Sequence, residues 1–438
     1  MSIRYDEALP NLIRTARRFD LDLASEQTIV VRDSAGRLAI VFQTKKRSEG
    51  LGQCLQAALG RYAMLPEPLL SPLMFEALRL AGPIPVSIPV DGVYAELHML
   101  DRRVVGMDWL SDFLAPPPPP PRLVFGSLKG GVGRSTALAV LAADLAHSGK
   151  RVLCIDLDLE APGIGSMLLH EAPADLRPKY GVVDYLVENG LGGTDDDELF
   201  DHIGISQFGG GASHVLPAVG RVTDENPAEM LGKLGRALTE DVTDLGTRPL
   251  SAQIREMVDR FAERADYDAI LVDSRAGLAE STASTWLGVG AQKLLLFGID
   301  QPQTFHGYRY VLAHLLRTLR VPAAPESEDW RSRIGFVHAK APMAAVGRQG
   351  FRERLHDLCA EMLYDQDTGA GSDLGFNFAF GEDGADVPHD ATYVENHPGY
   401  EVFDPLSDPS TLAEGGYQGP FQDFLTRAWQ LLGLERAR

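Results

Sequence analysis

The chain is predicted to be an α/β protein, a doubly wound and mostly parallel sheet preceded by a smaller α+β domain, and three features carry that expectation. From residue 122 onward, short apolar runs at 123–125, 151–155, 269–272, 293–299 and 334–338 alternate with helical-period stretches at 137–148, 250–264 and 305–319. Two of the runs lead into Asp156 and Asp273, which puts carboxylates at the C-terminal edge of such a sheet. A turn containing Gly130, Gly131 and Gly133 joins the first run to the first helical stretch.

Residues 1–114 form the smaller domain. The β-rich runs 28–32 and 38–42 flank Asp33-Ser34-Ala35-Gly36-Arg37, a hairpin by composition. Helical periodicity follows over 51–65 and 69–80, then strand-like runs at 86–90 and 93–97. No catalytic constellation stands out here: Glu96 with His98 reads as an alternating strand face and Lys45-Lys46-Arg47 as a solvated turn. This domain reads as a sensor, effector or docking module for a protein partner. Six consecutive prolines, Pro116 to Pro121, make residues 115–121 a linker. As polyproline II it would be a stiff spacer of about 19 Å, at about 3.1 Å per residue.

Residues 122–438 form the larger domain, and its opening run R-L-V-F-G-S-L-K-G-G-V-G-R-S-T, Arg122 to Thr136, reads as strand, phosphate loop and helix. Glycines suit such a loop because it wraps a polyphosphate with backbone N–H groups, at φ angles and approach distances that side chains obstruct. The helix that follows aims its N-terminal N–H groups at the same anion. Against the pattern G-x-x-x-x-G-K-[ST], Leu128 stands where the first glycine is expected and Arg134 where lysine is expected. Gly130, Gly131, Val132, Gly133, Arg134, Ser135 and Thr136 are the candidate nucleotide-binding residues. Ser135 would offer its hydroxyl to Mg²⁺ and Thr136 would reach an inner phosphate. Arg134 keeps the charge but exchanges a compact ammonium for a planar fork, which changes the grip on the β- and γ-phosphates.

The string K-G-G-V-G-R-S-T resembles the deviant Walker A loop of the ParA/MinD superfamily, in its KGGVGR form. The resemblance covers about residues 122–345. It implies a P-loop NTPase fold, ATP and Mg²⁺ as ligands, and an ATP-dependent homodimer in which the early lysine, here Lys129, reaches the partner's nucleotide. The stretch Asp156-Leu157-Asp158-Leu159-Glu160-Ala161-Pro162-Gly163 resembles the Walker A′ motif of the same superfamily. That assigns Asp158 to orienting the attacking water and Asp156 to supporting the Mg²⁺ shell. An apolar run ending at Asp273 reads as Walker B, with Asp273 reaching the metal.

Where the superfamily has D-x-P-P-G, this chain has Ser274, Arg275 and Ala276 after Asp273, so a cation enters the switch loop. Arg275 either stabilises transferring phosphate or is a salt-bridge partner. Lys340 and Pro342, after the 334–338 run, match positions where the superfamily places base-recognition contacts. A Gly-, Asp- and Pro-rich stretch at 369–410 precedes an amphipathic segment at 421–434. MinD-like proteins use such a helix on membranes, but few basic residues accompany this one, so packing on the domain is expected.

Composition bounds the remaining possibilities. With 438 residues, 45% hydrophobic and 23% charged, the chain can bury sizeable cores in two or three domains. A net charge of −20 disfavours bulk binding to nucleic acid or anionic membrane. No signal-peptide pattern or long apolar span is present, and three cysteines without C-x-x-C spacing read as reduced thiols, so a cytoplasmic protein is expected. The expected activity is slow ATP hydrolysis coupling nucleotide state to the N-terminal module, and by resemblance such loops occur in regulatory and defence-type gene sets. Two alternatives are a nucleotide-gated scaffold whose hydrolysis Arg134 has impaired, and a bacterial tyrosine-kinase-like phosphotransferase. The latter lacks its C-terminal tyrosine cluster, since the last tyrosine is Tyr417.

Overall fold

A computed structural model of the protein describes residues 3–44, 50–169, 176–191, 195–243, 246–319, 329–364 and 387–436. Lys45-Lys46-Arg47 and residues 369–386 of the Gly-, Asp- and Pro-rich stretch lie outside them. The chain divides into two compact units, Met1–Leu110 with Ala313–Arg320, and Ser111–Leu312 with Val321–Arg438.

The first unit runs α1 (Tyr5–Arg18), β1 (Thr28–Arg32), β2 (Leu38–Phe42), α2 (Leu51–Leu59), β3 (Leu69–Leu70), α3 (Phe75–Leu80), β4 (Ile84–Val90) and β5 (Val93–Asp101). Its sheet has the order β3-β2-β1-β5-β4. The expected hairpin pairs Thr28 with Phe42 and Arg32 with Leu38. Its turn closes because Asp33 Oδ1 accepts from the N–H groups of Ala35 and Arg37, with Gly36 at φ +85°. Leu9, Leu12 and Ile13 of α1 and Leu51, Leu55 and Leu59 of α2 are buried with Val30, Ile40, Leu97 and Met99 of the sheet.

Two helical expectations are shortened. The stretch 51–65 is helical only to Leu59, where Gly60 takes φ +55°. Over 69–80 only Phe75–Leu80 is α-helix: Leu69 and Leu70 pair with β2, and Ser71 caps a turn that opens on Pro72. Apolar spacing alone does not register that a proline has no N–H to continue a strand ladder but suits the first turn of a helix.

The second unit runs β6 (Arg122–Ser127), α4 (Arg134–His147), β7 (Val152–Leu157), α5 (Ile164–Leu168), α6 (Val182–Asn189), β8 (Gly204–Ile205), β9 (Ser213–Leu216), α7 (Arg221–Glu225) and α8 (Met230–Ala237). It continues through a small hairpin, β10 (Asp241–Thr243) and β11 (Gly246–Arg248), into α9 (Leu250–Ala262), β12 (Ala269–Ala276), α10 (Glu280–Gly288) and β13 (Lys293–Gly298). The last elements are α11 (Pro302–Thr318), β14 (Ile334–Ala341), α12 (Ala345–Met362), β15 (Thr392–Glu395) and α13 (Glu414–Leu432). Eight strands form one sheet in the order β15-β14-β13-β6-β12-β7-β9-β8. Every neighbouring pair is parallel except β8 with β9. This is the doubly wound, mostly parallel sheet of a P-loop NTPase fold.

Strands β7 and β9 lie on one side of the β6–β12 pair and β13 and β14 on the other, so the winding reverses there. Such a reversal opens a crevice at the C-terminal ends of the strands. The core is built from apolar faces of α4, the central strands and α13. Phe424 of α13 meets Phe125 and Phe297 edge-on, with ring centroids 6.1 and 5.8 Å apart. Phe421, Leu425, Trp429 and Leu432 are buried with it, so the amphipathic terminal helix is a core element.

The proline run expected to be a stiff spacer between domains groups with the second unit. The Leu114 N–H donates to Leu287 O at 2.9 Å, and Arg333 donates to Leu114 O at 2.6 Å, Ala291 O at 2.7 Å and Phe113 O at 3.3 Å. The chain therefore enters β6 from a fastened position.

Candidate nucleotide site

The loop between β6 and α4 takes its shape from two glycines, Gly131 at φ +72° and Gly133 at φ +87°. A Cβ on Gly130, Gly131 or Gly133 would meet no heavy atom within 4 Å, so the demand at 131 and 133 is conformational and the space above the loop is open. Leu128, standing in place of the motif's first glycine, packs on α11, where a Cβ on Gly307 would come within 2.6 Å of it. Gly126 has a different reason to be glycine, because a Cβ there would lie 2.8 Å from the Trp286 ring.

Parallel pairing then collects the carboxylates. Asp156 of β7 and Asp273 of β12 are register partners, and Asp273 in turn lies opposite Phe125 of β6, at the base of the loop. Both acids are fully buried, and Asp158 nearly so. Asp156 holds the A′ turn together: Oδ1 accepts from the Asp158 N–H at 3.1 Å, and Oδ2 from the N–H groups of Gly163 and Ile164 at 3.0 Å each. Burial and the adjacent Asp273 nevertheless push its pKa up to about 7, against those three donors. Burial also raises the Asp273 pKa, while Arg134 and Ser135 act to lower it.

Arg134, the first residue of α4, turns into this acidic cluster. Its Nε donates to Asp273 Oδ1 at 2.5 Å, Nη2 to Asp158 Oδ2 at 2.8 Å and Nη1 to Ser127 Oγ at 3.3 Å. Burial alone would depress the guanidinium pKa, but the two carboxylates outweigh it and raise it. Ser135 Oγ donates to Asp273 Oδ2 at 2.5 Å, so the hydroxyl and carboxylate expected to share a metal are adjacent. Asp158 Oδ1 is buried without a hydrogen-bond partner, an oxygen left for something further.

Residues 122–169 match a family model described as an AAA domain. The septum site-determining protein MinD of Helicobacter pylori is 30% identical over 150 residues, which are 34% of this chain and 42% of that protein. The chain thus spans less than half the length of that relative. The chain is thus similar to P-loop proteins of the ParA/MinD superfamily. Among solved structures, MinD of Aquifex aeolicus is similar over 72% of this chain and 100% of its own, at 18% identity and a TM-score of 0.42. An ATP complex of a Cyanothece McdA variant is similar over 75% of this chain and 100% of its own, at 12% identity and a TM-score of 0.43.

The other residues expected from the sequence spread along the same sheet edge. Thr136 lies in the first turn of α4, and Val132 is buried under the loop. Lys129 is exposed, with Nζ 3.3 Å from Gln301 Oε1 beyond β13. Lys340, at φ +51°, and Pro342 sit at the end of β14, two strands away from β6. Arg275 pairs with Glu160 of the A′ turn, so the structure shows it as a salt-bridge partner.

Three contacting residues escaped the sequence reading: Ser127, Glu160 and Gln301. Each sits just past or at the C-terminal end of a central strand, a position that could have flagged it; nothing in residue type did. The residues fit a Mg²⁺-nucleotide, with an open backbone cradle, a paired hydroxyl and carboxylate, and an orphaned carboxylate oxygen. Among the described residues no group of three His, Cys, Asp or Glu is arranged to hold a metal by itself, so phosphate and water would supply the other oxygens. No described helix is long and apolar enough to cross a membrane.

Proposed function

We propose that this protein is a Mg²⁺-ATP-binding and hydrolysing switch that dimerises in its ATP form and couples nucleotide state to a protein partner of residues 1–114. The observation that carries the reading is Ser135 Oγ 2.5 Å from Asp273 Oδ2 at the mouth of an open glycine loop, with Asp158 beside them. Bound Mg²⁺ would neutralise charge on the phosphates. The chain's own residues do the rest. Backbone N–H groups of 130–136 hold the phosphates, Ser135 and Asp273 orient the metal's shell, and Asp158 orients a water through a carboxylate fixed by the Asp156-braced turn. Lys340 and Pro342 are proposed base contacts.

Lys129 is proposed to act in trans. It is exposed and held only by a neutral amide, so little opposes its reaching across to a second copy's nucleotide, where it would stabilise charge as an arginine finger does. The test is sizing and turnover in ATP and ADP. Lys129→Ala should lose ATP-dependent dimerisation and hydrolysis together while still binding nucleotide, and mixing it with Asp158→Ala should restore part of the activity. A monomer that turns over at a concentration-independent rate with Lys129→Ala fully active would refute the dimer mechanism.

The hydrolysis-impaired scaffold is a second reading with one observation in its favour: Arg134 occupies an oxygen of Asp158, the proposed water-orienting group. Absence of turnover with intact ATP-dependent dimerisation would select it.

A further inference from the structure

All three nitrogens of the Arg134 guanidinium are spent on the sheet side of the loop, on Asp273, Asp158 and Ser127. We propose that Arg134 is a tethered counter-cation for Asp158 and Asp273, and that a divalent metal reaches Asp273 only by exchanging with it. The proposal rests on the nucleotide-site reading above.

The charge balance requires a cation at this spot. Asp156, Asp158 and Asp273 are 0%, 9% and 1% exposed, and burying ionised carboxylates without a partner is costly. Asp273 has neither oxygen free, since Oδ1 takes Arg134 Nε and Oδ2 takes Ser135 Oγ. A metal arriving alone would have to break a charge-assisted hydrogen bond inside the protein and leave the buried guanidinium with one carboxylate, Asp158, in place of two. A metal arriving with a polyphosphate meets no such obstacle. The phosphate takes the guanidinium as the metal takes the Asp273 carboxylate, so neither member of that pair is left without a counter-charge.

Arginine is specifically suited to this. Its fork spans two carboxylates on different strands at once, whereas an ammonium is a single point that serves one geometry less well. The same exchange loosens the Asp158–Asp273 tie between the A′ turn and the Walker B strand, and releases Asp158 Oδ2 beside the already unpartnered Oδ1 when phosphate draws Arg134 away. The Arg275–Glu160 pair joins the same two segments and keeps them together during the exchange.

The probe is Mn²⁺ alone, followed by the paramagnetic resonance signal of the free ion, with no nucleotide present. The parent should take up little Mn²⁺ at submillimolar concentration. Arg134→Ala should bind it at least about tenfold more tightly, the factor expected when one charged hydrogen bond no longer competes. Its thermal unfolding, lowered in chelator, should recover on adding Mn²⁺. If Arg134→Ala does not fold, Arg134→Lys decides, with a smaller gain in the same direction. Mn²⁺ binding to the parent as tight as to the variants, or no gain in the folded variant, would overturn the exchange. A fluorescent ATP analogue titrated into the parent with Mn²⁺ tests the nucleotide reading separately, since its failure there leaves the metal comparison standing.

Discussion

Arg134 and Arg333 are both buried in the second unit, 7% and 4% exposed, yet their guanidinium groups are spent differently. Arg333 donates to the backbone carbonyls of Phe113, Leu114 and Ala291 and lies 4.0 Å from the Phe113 ring centroid. Arg134 donates to two carboxylates and a hydroxyl. Carbonyls are neutral acceptors fixed by the fold, and no metal or phosphate competes for the bond. Carboxylates on strand ends bind a metal as readily as a guanidinium, and a guanidinium binds phosphate as readily as a carboxylate. One arginine is therefore a fastening and the other an exchangeable partner, although burial alone makes them look alike.

The contrast is broken most directly at Asp273. If that carboxylate serves the metal, Asp273→Ala should lower Mg²⁺-dependent turnover by about 10²–10³-fold or more, the scale for removing a group that stabilises transition-state charge. Its folded state should persist, because Arg134 keeps Asp158 and Ser127. Steady-state hydrolysis with circular dichroism checks both halves, and unchanged turnover would make the Arg134 cluster as structural as that of Arg333.

Arg333→Ala is the converse experiment. It strips three buried carbonyls of donors and unfastens the entry to β6, so unfolding in urea should show a loss of about 3–5 kcal/mol, the range for breaking a buried charged interaction. Added Mn²⁺ should not restore it, in contrast to Arg134→Ala. Nucleotide affinity per folded molecule should be unchanged. Restoration by the metal would erase the distinction between the two arginines.

The two arginines also mark where the sequence was legible. The strand–loop–helix around 122–136 and the acids at 156, 158 and 273 were readable because a glycine loop and strand-end carboxylates have a local signature and parallel pairing does the rest. The helix read at 137–148, which in fact begins three residues earlier at Arg134, and the buried face of α13 followed from hydrophobic periodicity. What was not readable is direction. Nothing local says that the Arg134 fork turns away from the open cradle, that Asp156 spends both oxygens on the turn it precedes, or that Arg275 finds Glu160. Each depends on register between strands far apart in the chain. Arg333 was not singled out, because its acceptors among the described residues include main-chain atoms of residues 113, 114 and 291, which any sequence would supply.

The smallest expected effect asks whether the surplus negative charge that Arg134 only partly cancels is visible in the pH dependence of stability. The Asp156 pKa is raised from 3.8 to about 7 by burial and Asp273. The folded chain thus holds a proton that the unfolded chain releases, and this contribution is complete below about 3.8 and lost as pH rises toward 7. His338 of β14 works in the opposite sense. It is buried against Phe351, with parallel rings 4.1 Å apart, and burial pushes its pKa down to about 4, with Asp300 opposing the shift and Arg348 and Arg354 adding to it. Its contribution is complete above the unfolded value of 6.5 and is lost as pH falls toward 4, by up to about 3 kcal/mol. The two slopes overlap and partly cancel in the parent. Replacing His338 with Phe keeps a ring on Phe351 and removes one slope, so relative to the parent its stability should decline as pH rises from 4 to 6.5. Asp156→Asn, weaker at every pH because an amide nitrogen must face a backbone N–H, should decline relative to the parent as pH falls over the same window. Urea unfolding across that range reads both differences. If the Asp156→Asn difference is flat, Asp156 is ionised throughout, with Arg134 and the three turn N–H groups balancing the cluster fully, and if the His338→Phe difference is flat, folding leaves the His338 titration unchanged.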